Sequence, residues 1–166
     1  MEQQPYFPLF VDLSEAKILV VGAGSVAARR VQTMLPFAGS ITVVAPEVHG
    51  SLAALEEAGE ITLLRRPYAP EDVDTADLVL AATDDHRLNG EIAARCKALR
   101  IPVNVCDDPR KCDFFFPGIA RKDNIVIGVT ASGADHKAAK ALTEELRRYI
   151  RERTADTMGQ FISQNM

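Results

Sequence analysis

Three clusters in this 166-residue chain hold residues whose types and spacing could do chemistry. The first is Gly22-Ala23-Gly24-Ser25-Val26-Ala27, which follows the run Lys17 to Val21 and opens onto a helical pattern. In such a turn Gly22 lets the chain reverse after a strand and Gly24 lets the backbone approach a pyrophosphate. Ala27 keeps the new helix close to the sheet, so that amide N–H groups at a helix N-terminus face an anion. A strand before it, a helix after it and a second strand at Ser40 to Ala45 make this a dinucleotide-binding turn rather than an isolated glycine turn. The second cluster, Thr83-Asp84-Asp85, follows the strand-like run Asp77 to Ala82. The third, Asp107-Asp108, follows Pro102 to Val105. Both lie where a doubly wound sheet presents its ligands, so the Thr83 hydroxyl could touch a cofactor and a carboxylate could act as a base. Adjacency of Asp107 and Asp108 predicts that like-charge repulsion raises one pKa. Plainer readings stand beside these: a helix cap made by Asp84 or Asp85, and a solvated turn at Asp107-Asp108-Pro109.

The second strand ends Val43-Val44-Ala45-Pro46-Glu47, without the acid that usually closes it on the adenosine ribose. Glu47 could reach the ribose hydroxyls, and no Arg or Lys stands between Val43 and Gly50 to neutralise a ribose phosphate, which favours NAD over NADP. Glu47 equally fits a first-turn helix acid stabilised by the dipole. The candidate cofactor contacts are thus Gly22, Gly24, Ser25 and Val26 on the turn, Pro46 and Glu47 beyond the second strand, and Thr83 and Asp84 beyond the fourth.

These residues need a frame, and the chain supplies an alternation of strand and helix patterns up to about Asp107. Strands are expected at Lys17 to Val21, Ser40 to Ala45, Ile61 to Arg65, Asp77 to Ala82 and Pro102 to Val105. Helices are expected near Ser25 to Leu35, Glu47 to Ala58, Pro70 to Thr75 and His86 to Leu99, with Pro36 ending the first. The pattern predicts an α/β, Rossmann-like doubly wound parallel sheet. Beyond it, Phe114 to Pro117 and Asn124 to Thr130 read as two strands joined by Ala120-Arg121-Lys122-Asp123. A long helix from about Asp135 to Arg153 follows, with Ala138, Leu142, Leu146, Tyr149 and Ile150 on its apolar face. A strand pair and one helix cannot bury themselves, so this C-terminal appendage must pack on the first domain or on another subunit, and a homodimer is the economical expectation. Residues 1–110 are assigned to the cofactor domain, 111–153 to dimerisation and 154–166 to a short polar tail.

The formal net charge of -4 argues against a general nucleic-acid binder. No apolar run reaches membrane-spanning length and the N-terminus lacks a secretory pattern, so a cytoplasmic protein is expected. Cys96, Cys106 and Cys112 match neither a zinc site nor a disulfide scaffold; they read as reduced thiols, at least two of them buried, and no metal ligands are assigned.

Tyr6-Phe7-Pro8-Leu9-Phe10-Val11-Asp12-Leu13, Ala81-Ala82-Thr83-Asp84-Asp85, Pro102-Val103-Asn104-Val105-Cys106-Asp107 and Phe115-Phe116-Pro117 occur in order with the glycine turn. As a set, from about Pro5 to Ile150, they resemble the precorrin-2 dehydrogenase and sirohydrochlorin ferrochelatase family, the sirohaem synthase N-terminal type. The resemblance implies NAD-dependent oxidation of precorrin-2 to sirohydrochlorin in sirohaem or cobalamin synthesis, with metal insertion as an added activity in some members. It places the catalytic role on Asp107. Oxidation releases a hydride, which NAD can accept, and a proton, which needs a base. A tetrapyrrole rich in carboxylates would suit Arg110, Lys111, Lys137 and Lys140. The competing function is a non-catalytic NAD-sensing module, which needs the glycine turn but no poised base.

Two departures stand out. Family members commonly read Ser-Gly-x-Ser-Pro before the long helix, where this chain reads Ser132-Gly133-Ala134-Asp135-His136. Asp135 can replace serine as a helix cap, although its charge would oppose a substrate carboxylate, and His136 fits a proton carrier, a metal ligand or an exposed first-turn histidine. Family members also carry a further helical portion where only a short tail follows Arg153, which would leave the pocket more open.

Overall fold

The computed structural model describes residues 4–152, so the expectation for residues 154–166 lies outside the described residues. It divides into two compact units. One is Val11–Phe115; the other joins residues 116–152 to residues 4–10.

In the larger unit, five apolar runs form β1 (Lys17–Val21), β2 (Ser40–Val44), β3 (Thr62–Leu64), β4 (Leu78–Ala81) and β5 (Val103–Val105). They pair in parallel in the order β3-β2-β1-β4-β5. Val20, Val21, Val43, Val44, Val79 and Leu80 are all buried, as expected of strands covered on both faces. The order reverses direction between β1 and β4, the switch point at which open parallel sheets bind ligands. Register sets the strand ends level: Val21 lies beside Val44 and Ala81, and Ala81 beside Val105. Whatever follows Val21, Ala81 and Val105 therefore meets at one edge.

Three helices flank the sheet. α1 (Ser25–Met34) buries Ala27, Ala28, Val31 and Met34 and stops before Pro36, as the sequence predicts. α3 (His86–Leu99) buries Asn89, Ile92, Ala93 and Cys96, and Arg100 closes it in the left-handed region at φ 59. α2 (Gly50–Glu57) begins later than expected from Glu47, because His49 is extended and caps the helix by accepting from the Ser51 N–H. The His49 N–H in turn donates to the Ala23 carbonyl at 2.9 Å, tying this loop to the glycine turn. Glu47 lies outside the helix, so its reading as a first-turn helix acid is corrected. Residues near Pro70 make a 3-10 turn, Pro70–Val73, rather than a longer helix.

All three cysteines are free, but only Cys96 is buried; Cys106 and Cys112 are half-buried, against the expectation of two buried thiols. Cys112 follows β5 in a loop, where its Sγ accepts the Val105 N–H and donates to the Val105 carbonyl, a polar role at the rim of the core.

In the smaller unit β6 (Gly118–Lys122) and β7 (Ile125–Val129) form an antiparallel hairpin. This corrects the expected strand at Phe114 to Pro117 and the expected turn at Ala120 to Asp123. Lys122 pairs with Ile125, leaving a two-residue loop, and Asp123 takes the positive φ of 52 that such a loop requires. Charge alone marked Arg121 and Lys122 as turn residues; their neighbour Ala120, fully buried, shows the strand alternation that overrides it.

α4 (His136–Glu152) packs on this hairpin. Its buried residues are Thr143 and Ile150, whereas Leu142 and Tyr149 of the expected apolar face are each 48% exposed. Close approach decides the face: a side chain at Gly118 would strike Thr143, whose hydroxyl donates to the Ala139 carbonyl at 2.7 Å. Asp135 caps α4 as expected, accepting the Ala138 N–H at 2.8 Å. The N-terminal segment belongs to this unit through the Tyr6 N–H, which donates to Ser132 Oγ at 2.9 Å. No described helix is long and apolar enough to cross a membrane.

Candidate functional site

The level strand ends gather the three clusters. Gly22, one residue past β1, has φ 100, and a Cβ there would strike the Ala82 carbonyl just past β4, so only glycine fits. Gly24 differs. Its φ of -79 and ψ of -174 are ordinary extended values, and nothing lies within 4 Å of where its Cβ would stand. Space therefore opens over the start of α1, whose first turn has no side-chain cap, and Gly24, Ser25 and Val26 are exposed there while Ala27 is fully buried. Pro46 and Glu47 are exposed on the adjoining loop past β2.

Past β4, Thr83 is engaged within the protein. Its hydroxyl donates to Asn89 Oδ1 at 2.7 Å and its backbone N–H donates to the same oxygen at 3.2 Å. Asp85 is the helix cap, accepting from the N–H groups of Arg87 and Leu88, and Asp84 is left exposed.

Asn89 is fully buried, and the sequence reading missed it. Its Nδ2 donates to the Thr83 carbonyl and to Asp107 Oδ2, both at 3.0 Å. Two donations and two acceptances use every hydrogen-bonding position that the amide has. Its orientation is therefore fixed, and with it the carboxylate of Asp107. A signal existed: Asn89 is the one polar residue on the buried stripe Asn89, Ile92, Ala93, Cys96, and a buried amide there must find partners.

His86, the first residue of α3, was missed as well. Its Nδ1 meets Asp107 Oδ2, the oxygen that Asn89 also holds. Burial pushes the Asp107 carboxyl up, but the hydrogen bonds from Asn89 and His86 outweigh it and the net shift is downward. The expectation of a carboxylate raised by its neighbour is thereby corrected. Asp108 exerts little repulsion because Arg110 grips it with Nε at 3.0 Å and Nη2 at 3.2 Å and Lys111 lies 3.5 Å away. The Arg110 hydrogen bond holds Asp108 down at about 2. Asp107, Asp108, Pro109, Arg110, Lys111 and His86 line a cleft of about 370 Å³.

A second buried polar group braces the same edge. Asn104, on β5, accepts from Arg30 of α1 and donates to the Phe114 carbonyl at 2.7 Å. Among the residues expected near a substrate, Arg110 and Lys111 thus join Asp107 in the cleft, whereas Lys137 and Lys140 are exposed on α4 in the other unit.

A family model described as NAD(P)-binding, NAD_binding_7, matches residues 9–118. The chain is 39% identical over 156 residues to a siroheme synthase of Pseudoalteromonas atlantica, covering 94% of this chain and 34% of that protein. It is also 39% identical over 141 residues to siroheme synthase 1 of Serratia proteamaculans, covering 85% of this chain and 30% of that one. The chain spans about a third of the length of the curated relatives it matches. Among solved structures, a protein titled SirC, precorrin-2 dehydrogenase, superposes with a TM-score of 0.70 at 21% identity, covering 96% of this chain and 88% of that one. The resemblance read from the motifs is met by proteins bearing those names, and the α/β doubly wound fold is shared with the solved one. With the family match spanning the glycine turn and the whole parallel sheet, the chain belongs to the NAD(P)-binding family NAD_binding_7.

Proposed function

We propose that this chain oxidises precorrin-2 to sirohydrochlorin, with NAD as the hydride acceptor, in tetrapyrrole biosynthesis. One observation carries the reading: the dinucleotide turn and the buried Asn89 holding Asp107, which in turn pairs with His86, lie at the same level edge of the sheet. A pure sensing module has no need of a carboxylate fixed in this way. The relatives named siroheme synthase and the solved precorrin-2 dehydrogenase support the substrate class.

The residues fit the cofactor. Open space at Gly24 over an uncapped helix start suits a pyrophosphate, with Ser25 and Val26 supplying N–H groups. When bound, the nicotinamide supplies a two-electron sink. The chain's own part is to fix Asp107 and His86 beside the cleft and to take up the released proton, in a cleft whose rim carries Arg110 and Lys111 held by Asp108. The direct test mixes purified protein, NAD and enzymatically made precorrin-2. The sirohydrochlorin spectrum should grow with NADH; NAD binding without turnover would favour the sensing module instead.

NAD is preferred to NADP in this reading. Glu47 stands exposed past β2, and the two arginines after β3 are already engaged, Arg65 by Glu56 and Arg66 by Asp72, each through two hydrogen bonds. A ribose phosphate would meet a carboxylate without a free clamp. Calorimetry should find NADP at least about tenfold weaker, roughly 1.4 kcal/mol; equal affinities would remove Glu47 from the argument.

The smaller unit is read as a homodimer surface, because α4 exposes Leu142 and Tyr149 beside a two-stranded sheet that is too small to stand alone. Light scattering at micromolar concentration should report twice the chain mass. A monomer there contradicts the dimer without touching the chemistry.

A further inference from the structure

The geometry points to His86 Nε2, rather than the Asp107 carboxylate itself, as the group that accepts the proton released in the oxidation. This inference rests on the dehydrogenase reading above and divides the labour within its site.

The starting point is the pairing of Nδ1 of His86 with Asp107 Oδ2. An ionised carboxylate only accepts hydrogen bonds, so Nδ1 must carry the hydrogen. In a neutral imidazole that leaves the lone pair on Nε2. The His86 side chain is 84% exposed and lines the cleft, whereas Asp107 is 20% exposed and spends Oδ2 on two donors. The carboxylate is thus arranged to hold an imidazole in one tautomer and to balance the charge it gains, and the imidazole is arranged to meet solvent and substrate. An aspartate that orients a histidine in this way is a recurrent solution in catalysis, and an imidazole base matches neutral pH better than a carboxylate does.

In the step itself one C–H bond breaks with its electron pair leaving as hydride to the bound nicotinamide dinucleotide. A second bond to hydrogen breaks with its electrons retained by the tetrapyrrole. That proton goes to Nε2, giving an imidazolium beside the Asp107 anion, and then to water. Charged groups around the imidazole are Asp85 and Arg87 on its own helix, Asp84 in the preceding loop, and Asp107, Asp108, Arg110 and Lys111 from the segment after β5. Asp85 caps the helix, and Asp108 is taken up by Arg110 and Lys111, which leaves Asp107 as the anion in direct contact.

Two variants separate proton transfer from positioning. His86→Asn keeps an N–H near the place of Nδ1, and so keeps a donor for Asp107, but has no basic nitrogen. His86→Gln places its amide nearer Nε2. Both should bind NAD like the wild type and lose roughly a hundredfold in kcat, the lower end for a positioned base. The wild-type kcat should fall on acidification, because the base must be unprotonated, and that acid limb should vanish in both variants. A readout without substrate or cofactor accompanies these: 15N NMR at alkaline pH should show the Nδ1–H tautomer at His86, assigned by its absence from His86→Asn among only three histidines. An Nε2–H tautomer, a His86→Asn enzyme at full rate, or a wild-type acid limb that persists in both variants each overturns the inference while leaving the dehydrogenase reading in place. A wild type that makes no sirohydrochlorin removes that reading, and this inference with it.

Discussion

Asp107→Asn is expected to lower the rate of sirohydrochlorin formation by roughly two orders of magnitude or more while NAD binds as before. The substitution keeps the shape and removes the charge. It also turns an acceptor into a partial donor that must face two donors, Asn89 Nδ2 and His86 Nδ1, so the arrangement loses its anion and its alignment together. Asp108→Asn is the control, one residue away. Its carboxylate is occupied by Arg110 and Lys111 at the surface, and a change there should move the rate by no more than a fewfold. Single-turnover measurements with both variants decide the matter. Equal behaviour of the two, or near-full activity in Asp107→Asn, would end the case for a catalytic centre past β5.

Gly24→Val should remove NAD binding from a protein that still folds. The extended backbone at Gly24 accepts any residue, and a Cβ there meets nothing of the protein. The new methyl groups would fill the space over the first turn of α1, which is the space that a pyrophosphate needs. A rise in Kd of roughly a hundredfold or more, about 2.7 kcal/mol, should be seen by calorimetry with an unchanged far-UV spectrum. Gly22 could not serve for this test. Positive φ and the nearby Ala82 carbonyl would make its loss a folding defect first. Unchanged affinity in folded Gly24→Val places the cofactor somewhere else.

Local pattern carried the sheet well because its strands are buried on both faces. A run such as Lys17 to Val21 has no other use, and the observed strand has those bounds. His86 to Leu99 was equally plain, from its apolar period and the aspartates before it. The hairpin was misplaced because the decisive quantity, a positive φ at Asp123, is available to several residue types, while Phe114 to Phe116 are apolar for reasons other than pairing. The outward turn of Leu142 depended on Gly118 meeting Thr143, a contact between elements that helical spacing does not contain.

The site divides in the same way. Gly22, Gly24 and Asp107 were visible as motif residues whose neighbours in sequence explain them. Asn89 and His86 act on a residue 18 and 21 positions away, and Thr83 was drawn inward by Asn89. Only the polar interruption of the α3 stripe hinted at this. The pKa expectation failed for a related reason: the neighbour in sequence, Asp108, is neutralised by its own cations, and the neighbours in space donate hydrogen bonds.

Asp85, His86 and Asn89 all belong to the cap and opening turn of α3. The cap, the imidazole and the amide that steers Asp107 are consequently wound or unwound as one object. Helix ends open and close locally at far smaller free energies than whole domains unfold. Any fraying of this turn would take the centre apart with it. The turnover proposed for the chain would then be an intrinsic rate multiplied by a wound fraction, and warming would silence molecules that every probe of the sheet still counts as native.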